Sequence, residues 1–227
     1  MDQIEPDALY DEREDVSRAR PILQGDVFHG VVLPGFGSEP RRVQVVAHPC
    51  AMRTGAALTP RITVAPVEPH ELVTGSGWQG NPRIMPLAAL VEGKHFATKF
   101  VDVTACPAEL LLRDQRIATL SNQGIYVLQQ RLIKHYTRTK MPLEALRSES
   151  APVLTEAELL RDWLERVLSE DEISSDDALD TETLAFEQWM REGSPAPQQR
   201  LRIEVHHADV RREAQRAAAE RVRVRKV

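Results

Sequence analysis

The sequence predicts an α+β protein in which a small β-barrel precedes a set of appended C-terminal helices. Three observations predict it. From Pro21 onward, short β-branched runs alternate with Gly and Pro turns, a texture of small barrels rather than parallel sheets. After residue 121 the apolar residues recur at helical spacing instead. The charge is also partitioned. Residues 1–20 hold seven acids against three arginines, residues 21–150 are net +4, residues 151–199 net −10 and residues 200–227 net +5. The chain-wide −5 therefore says little about partners, because a mildly basic core lies between acidic segments and a basic tail.

The elements follow in order. Residues 1–20 read as an acidic, polar N-terminal extension, and residues 21–150 as the barrel domain. "GDVFHGVVL" (25–33) is a strand, "PGFGSEP" (34–40) a loop, and "RVQVVAH" (42–48) a second strand. "RITVAPV" (61–67) is a third, expected to end at Pro66 because proline cannot donate to a ladder. Residues 70–87 form a turn-rich excursion around Gly75, Gly77 and Gly80, and "HFATKFVDVTA" (95–105) returns to alternation. Residues 107–121 read as a strand or short helix and a turn. Ile125, Leu128, Leu132 and Tyr136 then lie along one face of a helix over 122–138.

Residues 151–193 form an acidic helical region. Thr155 and Glu158 are spaced as a capping box, with Leu159, Trp163 and Val167 as the apolar stripe that follows. A second helix spans 174–193. Residues 194–227 divide into a linker, a short strand "LRIEV" (201–205) and a basic C-terminal helix. The tail from Asp209 carries little apolar surface beyond alanines and valines such as Val210, Val222 and Val224, so it is expected to be ordered by a partner.

The chain is long enough for one full core and a smaller unit. No apolar run approaches the roughly 18 residues a membrane span needs, so no membrane association is expected. The acidic start lacks a basic region followed by an apolar one, which argues against a secretory signal. With only Cys50 and Cys106, free thiols and a cytoplasmic location are expected. There is no CxxC pair, and no cofactor or metal is expected. His48-Pro49-Cys50 reads as a corner with a buried cysteine, since proline fixes an extended turn there. A cysteine-dependent enzyme using Cys50 is the competing reading.

"GDVF" (25–28), "GSE" (37–39), "RRVQVV" (41–46), "ITVAPV" (62–67) and "QQRLIKH" (129–135) occur in an order that resembles the MazF/PemK toxin family. Members are SH3-like small β-barrels that cut RNA without a metal. The resemblance implies that Arg42, or Arg41 beside it, faces a scissile phosphate. It also implies a hydroxyl-bearing residue after the third strand, where this chain has Glu68, and a proline where this chain has Val43. These departures shift the expectation to a non-catalytic binding or assembly module, in a toxin-derived or antiphage-type complex. A metal-independent endoribonuclease using Arg42 and Glu68 is the alternative. Arg41, Arg42, Arg53, Arg61, Trp78 and Arg83 are the expected nucleic-acid-binding set, with Trp78 able to stack a base. The expected partners are single-stranded RNA and a protein partner or second copy bound through the C-terminal helices.

Overall fold

The β-branched runs between residues 21 and 120 form one antiparallel sheet that curls into a nearly closed barrel. The structure is a computed structural model describing residues 4–54 and 57–225. The chain divides into two units. The first takes Met1–Val16, Ile22–Arg53 and Leu58–Ser148; the second takes Ser17–Pro21, Thr54–Ala57 and Glu149–Val227.

In the first unit the strands are β1 (Tyr10–Arg13), β2 (Val27–Val31), β3 (Arg41–Val45), β6 (Arg61–Pro69), β7 (Ile84–Val91), β8 (Lys94–Lys99), β9 (Thr104–Pro107) and β10 (Arg116–Leu120). A two-residue ribbon, β4 (Arg53–Thr54) with β5 (Ala57–Leu58), stands apart. The sheet order is β1-β10-β2-β3-β6-β8-β7, with β9 also paired to β6. The helices of this unit are α1 (Pro6–Leu9), α2 (Pro49–Met52), α3 (Gly77–Gly80) and α4 (Asn122–Thr137).

Residues 10–13, read from sequence as part of a polar extension, are an outer strand of the sheet, with Tyr10 opposite Leu120. Their side chains also reach the other end of the strand order. Arg13 Nη1 donates to the Ala89 carbonyl of β7 at 2.6 Å. Ala89 stands in a bulge at φ 48°, and its N–H donates to His95 Nδ1 at 2.9 Å. His95 thus holds a strained residue that Arg13 uses to tie the barrel together.

Pro66 does not end its strand. It lies opposite Val43 inside β6, at the point where the β9 ladder (61–64) gives way to the β8 ladder (67–69). A missing N–H costs least at such a change of neighbour. Residues 84–87, read as the end of the turn-rich excursion, belong to a full strand, β7.

Both faces of the central strands are buried. Phe28, Val43, Val45, Ile62, Val64 and Cys106 share one core. The opposite face carries a polar seam. Thr98 Oγ1 donates to Gln44 Oε1 at 2.7 Å, and Gln129 Nε2 to Gln24 Oε1 at 2.8 Å. Asp26 Oδ2 accepts from the Leu23 N–H and from Arg116 Nη1, with both side chains of that ion pair almost wholly buried. Buried polar groups survive only when bonded in this way. Helix α4 starts at Ser121, whose Oγ accepts from the Gly124 N–H. At Gly124 a Cβ would stand 2.5 Å from the Leu9 carbonyl, so the close approach of α1 requires glycine.

The remaining helices are α5 (Leu143–Val167), α6 (Glu170–Ile173), α7 (Asp176–Arg191), α8 (Pro197–Arg200) and α9 (His207–Arg225). Helix α5 runs unbroken through Pro152, so Thr155 is mid-helix rather than a cap. The capping box lies instead at Ser169 and Glu172, opening α6. Residues 201–205 form a turn and part of a short 3-10 helix, not a strand. His207, which follows this 3-10 turn, bonds the Leu201 carbonyl through Nε2 at 2.7 Å.

The core of this second unit gathers Leu159, Trp163, Leu179, Phe186, Met190 and Val210. Trp163 meets Phe186 edge-on at 5.7 Å and stacks on Trp189 at 6.0 Å. The tail belongs to this core, contrary to the expectation of partner-dependent order. Val210, Ala214 and Ala218 are each under 5% exposed. The arginines of α9 meet the acidic helices directly: Arg211 binds Glu158 at 2.9 Å, Arg221 clasps Glu182 at 3.1 Å through two bonds, and Arg225 reaches Glu172 at 2.5 Å.

Candidate nucleic-acid interface

The register of β3 and β6 decides where the expected catalytic pair stands. Arg42 lies opposite Val67, and Val67 opposite Thr98. Side chains alternate faces along a strand. Arg42 therefore shares a face with Gln44, Val67 and Thr98, while Glu68 points to the other. The contacts agree. The Arg42 guanidinium lies 4.9 Å over the Phe96 ring, whereas Glu68 meets Lys99 Nζ at 3.8 Å. Arg42 and Glu68 do not converge on one reacting atom. Arg41 donates to the Phe36 carbonyl at 3.2 Å and lies over that ring. Glu92, at the turn beyond, has its carboxyl held below the usual range by the Lys94 hydrogen bond and charge, with Arg42 adding to this.

The other expected residues are dispersed. Arg61 opens β6 opposite Pro107. Six residues separate it from Val67, about 20 Å at a rise of about 3.3 Å per residue. Arg53 donates to the Ile22 carbonyl at 3.1 Å. Trp78, in the expected set as a residue able to stack a base, is 2% exposed, and its indole donates to the Val73 carbonyl at 2.9 Å. Its ring is closed to a base.

Against Trp78 packs Arg131, a residue that sequence reasoning left without a role. Arg131 is fully buried on α4. Its three nitrogens donate to the carbonyls of Ile84 (2.6 Å), Trp78 (2.8 Å) and Asn81 (2.6 Å), and its guanidinium lies 5.4 Å from the Trp78 ring. Burial pushes its pKa down to about 10, so it remains a cation at neutral pH. The side chain clamps the whole 78–84 segment, and thereby sets the position of Arg83.

Arg83 is the member of the expected set that meets other ligand-capable groups. Its carbonyl accepts from the Phe100 N–H at 2.9 Å. Phe100 is buried and meets the His135 ring edge-on at 5.9 Å; His135 in turn meets Tyr136 at 4.7 Å. Tyr136 is 63% exposed and Val101 59%. Arg138 stops α4 in the left-handed conformation at φ 64°, its N–H bonded to the Lys134 carbonyl. The His135 imidazole is held below its ordinary pKa by burial first, then by the nearby charges of Arg138 and Arg83. Its Nδ1 is buried without a partner among the described residues. Two segments distant in sequence thus set the exposed Arg83 and Arg138 near enough for their charges to act on the His135 imidazole, beside the open ring of Tyr136. The available signal was the run "KHYTRTK" (134–140), whose bases and aromatic ring were absorbed into a helix face.

His48 and Cys50 stand at the start of α2 (Pro49–Met52). His48 Nδ1 accepts from the Cys50 N–H at 3.3 Å and so caps α2, and burial holds the imidazole below its ordinary pKa. Cys50 itself is exposed, a correction to the buried-thiol expectation. Cys106 is the buried cysteine, its thiol pushed up to about 11 by burial. Among the described residues no three His, Cys, Asp or Glu side chains group as metal ligands, and no helix is long and apolar enough to cross a membrane. No family model matches the chain, and no curated protein matches it.

Proposed function

We propose that this protein is a non-catalytic, single-stranded nucleic-acid-binding module, with RNA as its polymer by the resemblance of its strands to MazF/PemK barrels. The observation that carries this reading is the convergence of Arg83 and Arg138 on His135 beside the open ring of Tyr136. An exposed ring accepts an unpaired base on its face, and flanking guanidiniums take the phosphates on either side. The polymer is single-stranded because a stacked duplex offers no free base face. The separation of Arg42 from Glu68 onto opposite sheet faces supports the non-catalytic half of the reading.

The test is fluorescence polarisation with a labelled uridine-rich 20-mer over a range of salt. Tyr136→Ala is expected to cost about 1–3 kcal/mol of affinity. Arg83→Ala and Arg138→Ala should each lower the salt slope by about one. Absence of binding at low salt, or affinity unmoved by Tyr136→Ala, would overturn the reading. Cleavage of RNA in chelator that disappears in Arg42→Ala would establish a ribonuclease in its place.

A further inference from the structure

The second unit contains a cavity of about 310 Å³ between α5 and α9, in no way used by the nucleic-acid reading. Small-molecule sites start at about 300 Å³, so the space suits a compact ligand. Its origin lies in the packing. Helix α9 presents Ala214 and Ala218 to this space, and two methyl groups leave room that larger side chains would fill. Leu159 and Trp163 supply the rest of the apolar lining.

The polar lining is more specific. Trp163 is 4% exposed, and its indole N–H has no acceptor among the described residues. A buried donor left unpaired is unfavourable, and an acceptor arriving with a ligand relieves it. Arg166 and Glu165 also line the cavity, and both side chains are exposed to incoming solute. Arg166 makes one 3.3 Å bond to the Gln215 carbonyl, leaving donors of its five-donor fork for a ligand. Glu165 accepts from Ser17 Oγ at 3.2 Å and retains a second oxygen.

We infer that this cavity binds a small apolar α-amino acid. The ligand carboxylate meets Arg166 and the Trp163 N–H, its ammonium meets Glu165, and its side chain lies over Leu159, Ala214 and Ala218. A plain carboxylate leaves Glu165 unanswered and a plain amine leaves Arg166 and the indole unanswered; the zwitterion answers all three.

Isothermal titration of the full chain with L-leucine, isovalerate and isoamylamine tests this. Leucine is expected to bind, with each of the two truncated analogues at least about tenfold weaker. Arg166→Ala, at an exposed position that leaves the fold intact, should abolish the heat. Trp163→Phe keeps an aromatic side chain but loses the five-membered ring with its N–H, and should weaken binding about tenfold. No leucine binding at millimolar concentration overturns the inference. So does equal binding of leucine and isovalerate, or binding unchanged in Arg166→Ala.

Discussion

The barrel unit and the helical unit handle charge in opposite ways. In the barrel unit ionic groups lie inside. Asp26 and Arg116 pair at 2.9 Å with side chains at 1% and 0% exposure, and Arg131 is enclosed by three carbonyls. In the helical unit the core is aromatic and aliphatic, and the charges ring it. Arg211 pairs with Glu158 where both are more than a third exposed. Arg200 pairs with Glu213 near the surface, and only Glu182 among these acids is deeply covered, at 3%. A buried ion pair leaves a costly orphan when cut, while an exposed pair is replaced by water. The barrel is thus specified by a few indispensable polar contacts, and the helical unit by continuous apolar contact with many dispensable ones.

The largest effect that can break this contrast is removal of α9. Ending the chain at residue 208 strips Val210, Ala214 and Ala218 from the helical core. Val210 alone is worth about 1.5–3 kcal/mol. The truncated chain should lose cooperative unfolding of this unit, read by fluorescence of Trp163 and Trp189, while Trp78 in the barrel unit keeps its native signal. Unchanged melting at all three tryptophans would show that the helical core does not need α9.

Next in size is Asp26→Ala, which leaves Arg116 buried without its counter-charge and should cost about 3–5 kcal/mol in urea unfolding followed at Trp78. The matching cut in the other unit, Arg221→Ala, should cost only about 1 kcal/mol, because Arg225 still stands 3.6 Å from Glu182. Equal costs for the two variants would erase the distinction between the units.

The smallest effect is acid. The Glu172 carboxyl is held below its ordinary pKa by hydrogen bonds from Ser169 and by Arg225, and that of Glu213 by its Arg200 hydrogen bond. A carboxyl with a lowered folded pKa stabilises above its ordinary value, and that stabilisation is lost as pH falls through the folded one. The urea midpoint of the helical unit should therefore decline modestly below about pH 4. A midpoint flat from pH 6 to pH 3 would show that these contacts contribute nothing.

Much of the architecture was legible. The order of β2, β3 and β6 followed from β-branched runs between Gly and Pro turns, α4 from helical spacing, and helices were expected where α7 and α9 stand. Misreadings came where local signals were overruled. Pro66 stays in its strand because two ladders change over beside it. Thr155 and Glu158 have capping-box spacing, but α5 was already running when it reached them. The candidate interface was legible only at Arg83. Tyr136 fell on the predicted apolar stripe, yet the first two turns of α4 bury that stripe and the last leaves it open.

By itself the sequence determined the α+β class, the strand-then-helix succession and the charge partition, because periodicity and turn chemistry act over a few neighbouring residues. Tertiary structure alone decided that Arg42 and Glu68 face apart, that Arg131 packs on Trp78 and bonds its carbonyl, and that the charge of Arg83 acts on His135 beside Tyr136. It also decided that a basic, alanine-rich tail completes the apolar core of the acidic helical region. These outcomes depend on register and on contacts between segments tens of residues apart, and no local pattern encodes which distant partner a side chain meets.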